Sequence, residues 1–343
     1  MKKGIFIFIS VILMVGAIFI SGLNIASASS IPTTFQWGVT MRPYATGTYT
    51  SASWKKQIAQ ANKLGVGWAR ITWDYNGSAV AKNTGIINAL RSKKINVVLV
   101  IEHNPNGGDN DLYKQGYNDG KNISKALKGK VKYYQMMNEG GAQSLKSPTS
   151  NGQTKTDYNV NEYNKVRDYM KGLSDGISAG DTSAKKIVTI SWTHVGFLDR
   201  LVSDGVKFDM IGIDWYDWMG SFGDSKISGG RYLYDKLRDY GKPLTFMEVA
   251  AMPSAPNGSK AKTNVNTTNQ TNFTIQTAQW AWDHRDSVKG FYAFELVDNA
   301  NNPSAYKDYY GLVQGIKSGT TGALGKIRPV FTAYQKFIKA HKK

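Results

Sequence analysis

The chain predicts a single-domain α/β fold, a (β/α)8 TIM barrel, on three observations. From residue 35 onward, short β-rich apolar runs alternate strictly with longer amphipathic stretches. Such alternation argues for a parallel sheet with helical crossovers. Each type of segment occurs eight times, and eight repeats in about 300 residues match the size and count of a closed barrel. The apolar runs are mostly continuous rather than alternating, as expected for strands whose outer face is covered by helices.

In order, the strands are expected at 35–40, 67–73, 96–102, 131–137, 187–192, 208–214, 244–248 and 290–296. Helices are expected between and after them at 53–64, 78–92, 117–127, 162–177, 196–203, 230–240, 271–285 and 330–340. The first helix sets Trp54, Ile58, Ala61 and Leu64 at helical spacing, and Gly65 follows as a stop. The fourth repeats the pattern with Tyr163, Val166, Met170, Leu173 and Ile177, closed by Gly180. Two stretches rich in Ser, Thr, Asn, Gly and Pro, 140–160 and 251–269, follow the fourth and seventh strands. Loops at the C-terminal ends of barrel strands rim the active-site mouth.

Residues 1–28 read as a targeting segment. Lys2 and Lys3 form a positive start, residues 5–23 are apolar or small, and Ala26-Ser27-Ala28 is a small-x-small cleavage site. The expected domain is therefore 29–343, exported from the cell. The apolar stretch is also long enough to span a bilayer, so an uncleaved N-terminal anchor with the domain outside is the alternative. With no cysteine, the chain has neither disulfides nor thiolate chemistry and relies on its core.

The formal charge is +18, spread along the chain with concentrations at 121–132 and 336–343. That charge favours anionic partners such as cell-wall polymers, and a solvated basic surface without a partner explains it equally well. No helix-turn-helix, zinc finger or aromatic ribonucleoprotein pattern accompanies it, so nucleic acid is not an expected partner.

Two carboxylates carry the functional reading. Glu139 follows the run VKYYQMM-Asn138 and Glu248 follows PLTFM, so each sits at the C-terminal end of a buried strand. In a parallel barrel that end is where active sites are built. Strands four and seven lie on different parts of the wall, so two carboxylates there can face each other. One proton donor and one carboxylate at the anomeric carbon are the minimum for cleaving a glycosidic bond.

With Asn138-Glu139 closing strand four, Glu248 closing strand seven, Arg70 in strand two and Tyr216 after strand six, the chain resembles the clan of retaining (β/α)8 glycoside hydrolases with paired glutamates. That clan, clan A, holds cellulase-, mannanase-, galactanase- and xylosidase-like families and enzymes acting on exopolysaccharides. The resemblance spans roughly residues 33–342. It implies that Glu139 is the acid/base and Glu248 the nucleophile. It further implies that Asn138 bonds the sugar 2-hydroxyl, that Tyr216 donates to Glu248, and that Arg70 keeps Glu248 ionised. Glu139 must hold a proton, which burial and a charged Glu248 would favour. Two departures bear on substrate rather than mechanism: Asp214 stands where many members carry His, and Phe294 fills the position nearest to the Trp that many members carry at the end of strand eight.

Further candidates lie near strand ends. His103 and His194 could bind sugar hydroxyls or serve structural hydrogen bonds. Trp73, Trp192, Trp215 and Trp218 offer faces for pyranose stacking, with packing inside the barrel layers as the alternative. Arg42, Glu295 and Asp298 line the mouth or form ion pairs. The four histidines lack metal-ligand spacing, no phosphate loop or serine elbow is present, and Gly65-Val66-Gly67 precedes a strand instead of following one. No metal, cofactor or dinucleotide is expected.

The expectation is therefore a secreted retaining glycoside hydrolase acting on a β-linked polysaccharide or oligosaccharide, with bacterial exopolysaccharide or envelope glycan favoured by the exported, basic chain. Its rivals are a non-catalytic carbohydrate-binding barrel and a cell-wall muramidase using a different carboxylate pair, for which Asp214 is one candidate.

Overall fold

A computed structural model describes residues 34–43, 51–75, 79–103, 111–251, 267–298, 309–316 and 323–342. Eight parallel strands close into a barrel in sequence order. They are β1 (Gln36–Thr40), β2 (Trp68–Thr72), β3 (Asn96–Ile101), β4 (Tyr133–Met136), β5 (Lys185–Ser191), β6 (Met210–Tyr216), β7 (Leu244–Ala250) and β8 (Val288–Ala293). The wall is completed by β1 against β8, with Gly38 opposite Tyr292.

The helices are α1 (Ser51–Leu64), α2 (Ala79–Ser92), α3 (Leu112–Ala126), the single turn α4 (Gly140–Gln143), α5 (Val160–Gly180), α6 (Val195–Ser203), α7 (Leu233–Arg238), α8 (Thr267–Asp283) and α9 (Pro329–Ala340). An antiparallel hairpin, β9 (Val313–Ile316) and β10 (Ala323–Ile327), lies between β8 and α9. Neither hairpin strand was expected: one spans four residues and contains glycine, leaving too little apolar pattern to read. The stretch 140–160 is more ordered than its composition implies. It holds α4, a 3-10 turn at Lys155–Asp157 and a bridge between Leu145 and Tyr158. Most of the expected loop 251–269 falls outside the described residues, as does the expected targeting segment. Among the described residues no helix is long and apolar enough to cross a membrane.

Two cores form as the alternation requires. Val98, Tyr133, Ile187, Met210, Met247 and Tyr292 fill the lower barrel interior. A larger cluster, including Ile71, Leu99, Tyr134, Val188, Ile211 and Phe246, packs the outer strand faces against the helices. Above the inner apolar layer the interior turns polar, with Arg70, Gln135, Thr189, Asp214 and Glu248 all buried. That change of character marks the floor of the site.

Glycines set one helix contact. A Cβ at Gly172 would lie 2.0 Å from the Tyr113 carbonyl oxygen, and one at Gly176 would lie 2.1 Å from that of Tyr117. On the facing helix, a Cβ at Gly116 would lie 2.2 Å from the Tyr169 carbonyl oxygen. Backbone therefore meets backbone between α3 and α5. Tyr169 from this pair rises to the rim, where its hydroxyl donates to Asp119 at 2.8 Å.

Candidate active site

The polar floor is organised by Arg70. Its position in β2 points it into the barrel, and it is 3 % exposed. The guanidinium makes three separate contacts. Nε donates to Gln135 Oε1 at 2.7 Å, Nη2 to Asn138 Oδ1 at 2.6 Å, and Nη1 pairs with Glu248 Oε1 at 2.8 Å. A planar fork of donors suits such divided recognition, and a lysine could not reproduce it.

Glu248 lies within β7 and is buried. Its second oxygen accepts a short hydrogen bond from the Tyr216 hydroxyl at the end of β6. Burial, then the Glu248 charge, pushes the Tyr216 phenol well above its ordinary range, so the tyrosine keeps its proton and acts as donor. A buried carboxylate with a bidentate set of charged and neutral donors is held in one orientation.

Glu139 follows β4 at the entry to α4. Met137 and Glu139 both adopt left-handed backbone conformations, with φ of 60° and 47°. Non-glycine residues in that region are strained, and such strain collects at functional sites. Here it turns the chain sharply on either side of Asn138. The turn is fastened by Gln135, which donates to the Met137 carbonyl and to Asn138 Oδ1, both at 3.0 Å. The Glu139 amide donates to Thr189 Oγ1 on β5 at 3.2 Å. Burial raises the Glu139 carboxyl to about 7, the charge of Glu248 adds to the rise, and a hydrogen bond from Ser191 opposes it.

The structure thus brings Glu139, Glu248, Asn138, Tyr216 and Arg70 together at the C-terminal end of the barrel. Two neighbours were not foreseen as parts of this cluster. Glu102, just after β3, accepts from the Asn138 amide, and Gln143 Nε2 approaches it at 3.4 Å. Its carboxyl is also raised, first by burial, with Arg70 opposing and Glu248 adding. It carries the same sequence signal as Glu139, a carboxylate closing an apolar run. Ser191 ends β5 and carried no comparable signal.

Asp214 sits between the two functional walls, opposite Ser191 on β5 and Glu248 on β7. It is wholly buried, and neither carboxyl oxygen has a hydrogen-bond partner. Burial, then the charges of Glu248 and Glu139, raise it far above the usual carboxylate range. A carboxyl shut off from solvent is poorly placed to reach a sugar, which weighs against a carboxylate pair built on Asp214.

Several expected sugar contacts are corrected. Trp215 is 0 % exposed, its indole N–H donates to the Gly220 carbonyl at 2.8 Å, and its ring packs edge-on to Phe222. Asp214 and Tyr216 face the barrel interior, so Trp215 between them faces the helices. Trp73 follows the same rule two residues beyond Ile71 and joins the outer core. His194 is buried under the 140–160 segment, its ring against Gly152, and burial lowers its pKa to about 4. His103 is half-buried and lies against the rings of Tyr75 and Tyr169 at the rim. Trp192 and Trp218 remain at the mouth, 6.5 Å apart between ring centroids.

Phe294 is buried beside Tyr216 and Tyr310, with the Arg42 guanidinium 5.1 Å from its ring centre. Arg42 Nε pairs with Glu295 at 2.8 Å on this side of the opening. Asp298 serves structure instead: it takes a two-pronged contact from Arg328, with both distances 2.7 Å, and accepts from the Gly311 amide at 2.8 Å. Among the described residues, no group of three or more histidine or carboxylate side chains could hold a metal ion.

No protein-family profile and no curated protein matches the chain in sequence. Solved structures do match in shape. The family 1 β-glucosidase from Thermotoga maritima superposes with a TM-score of 0.65 at 14 % identity, covering 92 % of this chain and 100 % of that one. The same enzyme in complex with glucoimidazole gives 0.63 at 14 % identity, over 91 % and 99 %. The GH1 β-glucosidase from Exiguobacterium antarcticum B7 also gives 0.63 at 14 % identity, over 91 % and 99 %. This chain therefore shares the (β/α)8 fold of these β-glucosidases.

Proposed function

We propose that the chain is a secreted retaining glycoside hydrolase that cleaves β-linked oligosaccharide or polysaccharide. The observation that carries the reading is the division of labour between Glu139 and Glu248. One carboxyl is raised to about 7 and can hold a proton at neutral pH, while the other is gripped by Arg70 and Tyr216. Environments that push two carboxyls apart assign the acid and the nucleophile. The β-configuration draws on the β-glucosidases that share the fold.

In the first step Glu248 Oε attacks the anomeric carbon as the glycosidic bond breaks. Glu139 passes its proton to the departing oxygen. In the second step Glu139, now ionised, takes a proton from water, and the water oxygen displaces Glu248 from the anomeric carbon. Asn138 is fixed by Arg70 and Gln135, and in this reading it bonds the sugar 2-hydroxyl, where a hydrogen bond strengthens as positive charge develops. Tyr216 and Arg70 keep Glu248 aimed through both steps.

For substrate, an exopolysaccharide or envelope glycan fits the export segment and the basic surface. A cleft of about 450 Å³ between α1 and α9 is lined by Lys63, Lys336, Lys339 and Lys342, and it could hold the enzyme at an anionic wall polymer. Wall binding that ignored added salt would remove that electrostatic basis. The reading as a whole is tested by assaying purified protein against a polysaccharide panel beside Glu139→Gln and Glu248→Gln. Hydrolysis that disappears in both variants is expected. Hydrolysis that survives both would reject it.

A further inference from the structure

The barrel end opposite Glu139 and Glu248 is strongly basic over half of its circumference. Because all eight strands are parallel, the links from helices into strands gather at that base. The end of α2 and its link to β3 present Arg91, Lys93 and Lys94 there. The end of α3 and its link to β4 add Lys125, Lys128, Lys130 and Lys132. All seven are exposed except the half-buried Lys130. On the other side of β2, the cleft between the ends of α1 and α9 sets Lys63 on one wall and Lys336, Lys339 and Lys342 on the other. Segments 61–68, 89–96, 123–133 and 336–342 contain no aspartate or glutamate.

The carboxylates of this end belong to the other half. Asp204, Asp209 and Asp239 follow α6 and α7 and pair with Arg167, Lys185 and Arg231. Asp181, after α5, is buried, and Asp283 and Asp286 stand at the link from α8 to β8. The basic half is also held in shape. Arg91 Nη1 donates to the carbonyls of Gly129 and Lys130 at 3.1 and 2.6 Å, which ties two neighbouring links together. Gln335 on α9 donates to the Lys63 carbonyl and joins the walls of the cleft. Lys94 takes a left-handed φ of 59°, whereas the turns after α1, α3, α6 and α7 place Gly65, Gly129, Gly205 and Gly241 in that region. A lysine there strains the backbone where glycine would not. Helix dipoles account for lysines in a last turn, but Lys130 and Lys132 lie well past the end of α3.

The chemistry of the patch selects among anionic partners. Apart from Arg91, whose Nη1 is engaged by two backbone carbonyls, every cation in it is a lysine. Lysine acts as a point charge suited to phosphate, whereas a planar carboxylate is best gripped by an arginine fork. Among the described residues no large apolar side chain is exposed in these segments, so the patch offers neither a wedge for a bilayer nor a platform for nucleobases. Its cations run across consecutive repeats and into a cleft, which fits a chain of charges. We propose that this half of the barrel base docks a linear phosphodiester polymer whose repeat unit carries no nucleobase, so that the catalytic mouth faces away from the anchor and stays open to glycan. The inference deepens the wall-polymer part of the proposed function and rests on export, while binding is measured without turnover, so either reading can fail alone.

The test titrates purified protein with poly(glycerol phosphate) at several salt concentrations. Combining Lys94→Gln, Lys128→Gln and Lys132→Gln should weaken binding about tenfold and reduce the slope of log affinity against log salt by about 2, roughly 0.7 for each lost contact. A control removes the same charge from exposed lysines in the segments that follow β4 and β6, as Lys146→Gln, Lys155→Gln and Lys226→Gln. It should change affinity by less than about twofold, because screening confines the effect of a distant charge. Lys94→Gly alone should weaken binding yet raise the unfolding temperature, since glycine relieves the left-handed backbone, which separates lost charge from lost fold. No binding, or equal weakening in both triple variants, would overturn the docking face. Tighter binding at matched charge of polygalacturonate, an oligonucleotide or phosphatidylglycerol vesicles would overturn the choice of polymer. A parent without hydrolase activity that still binds through the base would reject the catalytic reading and leave the docking face standing.

Discussion

Arg70 on β2 reaches the Glu248 carboxylate on β7 at 2.8 Å, although β1 and β8 stand between those strands. The same guanidinium holds Asn138, the residue before Glu139. One side chain thereby fixes the spatial relation between the two walls that carry the carboxyl groups. Removing either partner of a buried ion pair is far more damaging than the pair is stabilising, because a charge is left behind without compensation.

Arg70→Lys is expected to keep a positive charge but lose the divided grip on Gln135, Asn138 and Glu248. Activity should fall by about a hundredfold or more, as when one positioning contact in a catalytic cluster is lost. Arg70→Met should in addition lower stability by roughly 3–5 kcal/mol. Steady-state kinetics and chemical denaturation check the two effects separately.

The raised Glu139 carboxyl sets a pH dependence. The alkaline limb of kcat/KM is expected near pH 7, where the folded carboxyl loses its proton. Stability follows the same group. Between the ordinary carboxylate range and about 7, the folded chain keeps a proton that the unfolded chain releases. This contribution is therefore full at acid pH and is lost as pH rises through that window. Glu139→Gln should gain about 1–3 kcal/mol over the parent between about pH 5 and about pH 8, measured by denaturation at each pH.

Asp214 gives a second linkage of the same sign. Burial, then the charges of Glu248 and Glu139, make its carboxyl hold a proton more tightly in the fold than in the unfolded chain. Asp214→Asn should therefore gain stability relative to the parent as pH rises from the acid range to neutrality. A difference that stayed flat with pH would mean that Asp214 is ionised in the folded protein.

The glycine contact between α3 and α5 is expected to be intolerant. Gly172→Ala places a methyl group 2.0 Å from the Tyr113 carbonyl oxygen, and only helix displacement relieves it. A loss of about 1–3 kcal/mol is expected. Because Tyr169 on α5 carries the rim contact to Asp119, the variant should also change His103 resonances in NMR spectra.

The barrel was legible because its alternation is global: each strand is a continuous apolar run, and each helix shows one apolar face. Glu139 and Glu248 were legible for a local reason, as charged residues ending such runs. Glu102 had the same signal and was passed over for its neighbour His103, since the sequence does not tell which of two adjacent polar residues turns inward. Trp73 and Trp215 were misplaced by the same uncertainty. Adjacent strand residues face opposite sides, so Arg70 and Asp214 inside the barrel put Ile71 and Trp215 outside. The β9–β10 hairpin went unread because so short a strand, holding a glycine, leaves little periodicity. The Arg70 grip depends on contacts between distant segments, which no local pattern encodes.

The most direct test of the account is trapping of the glycosyl-enzyme. The parent and Glu139→Gln are incubated with a panel of 2-deoxy-2-fluoro β-glycosides bearing good leaving groups, then digested and mapped by mass spectrometry. The account expects a single glycosyl adduct on the peptide containing Glu248, attached to that carboxylate. An adduct on Asp214 or Glu102, or hydrolysis that inverts the anomeric centre without any adduct, would contradict it.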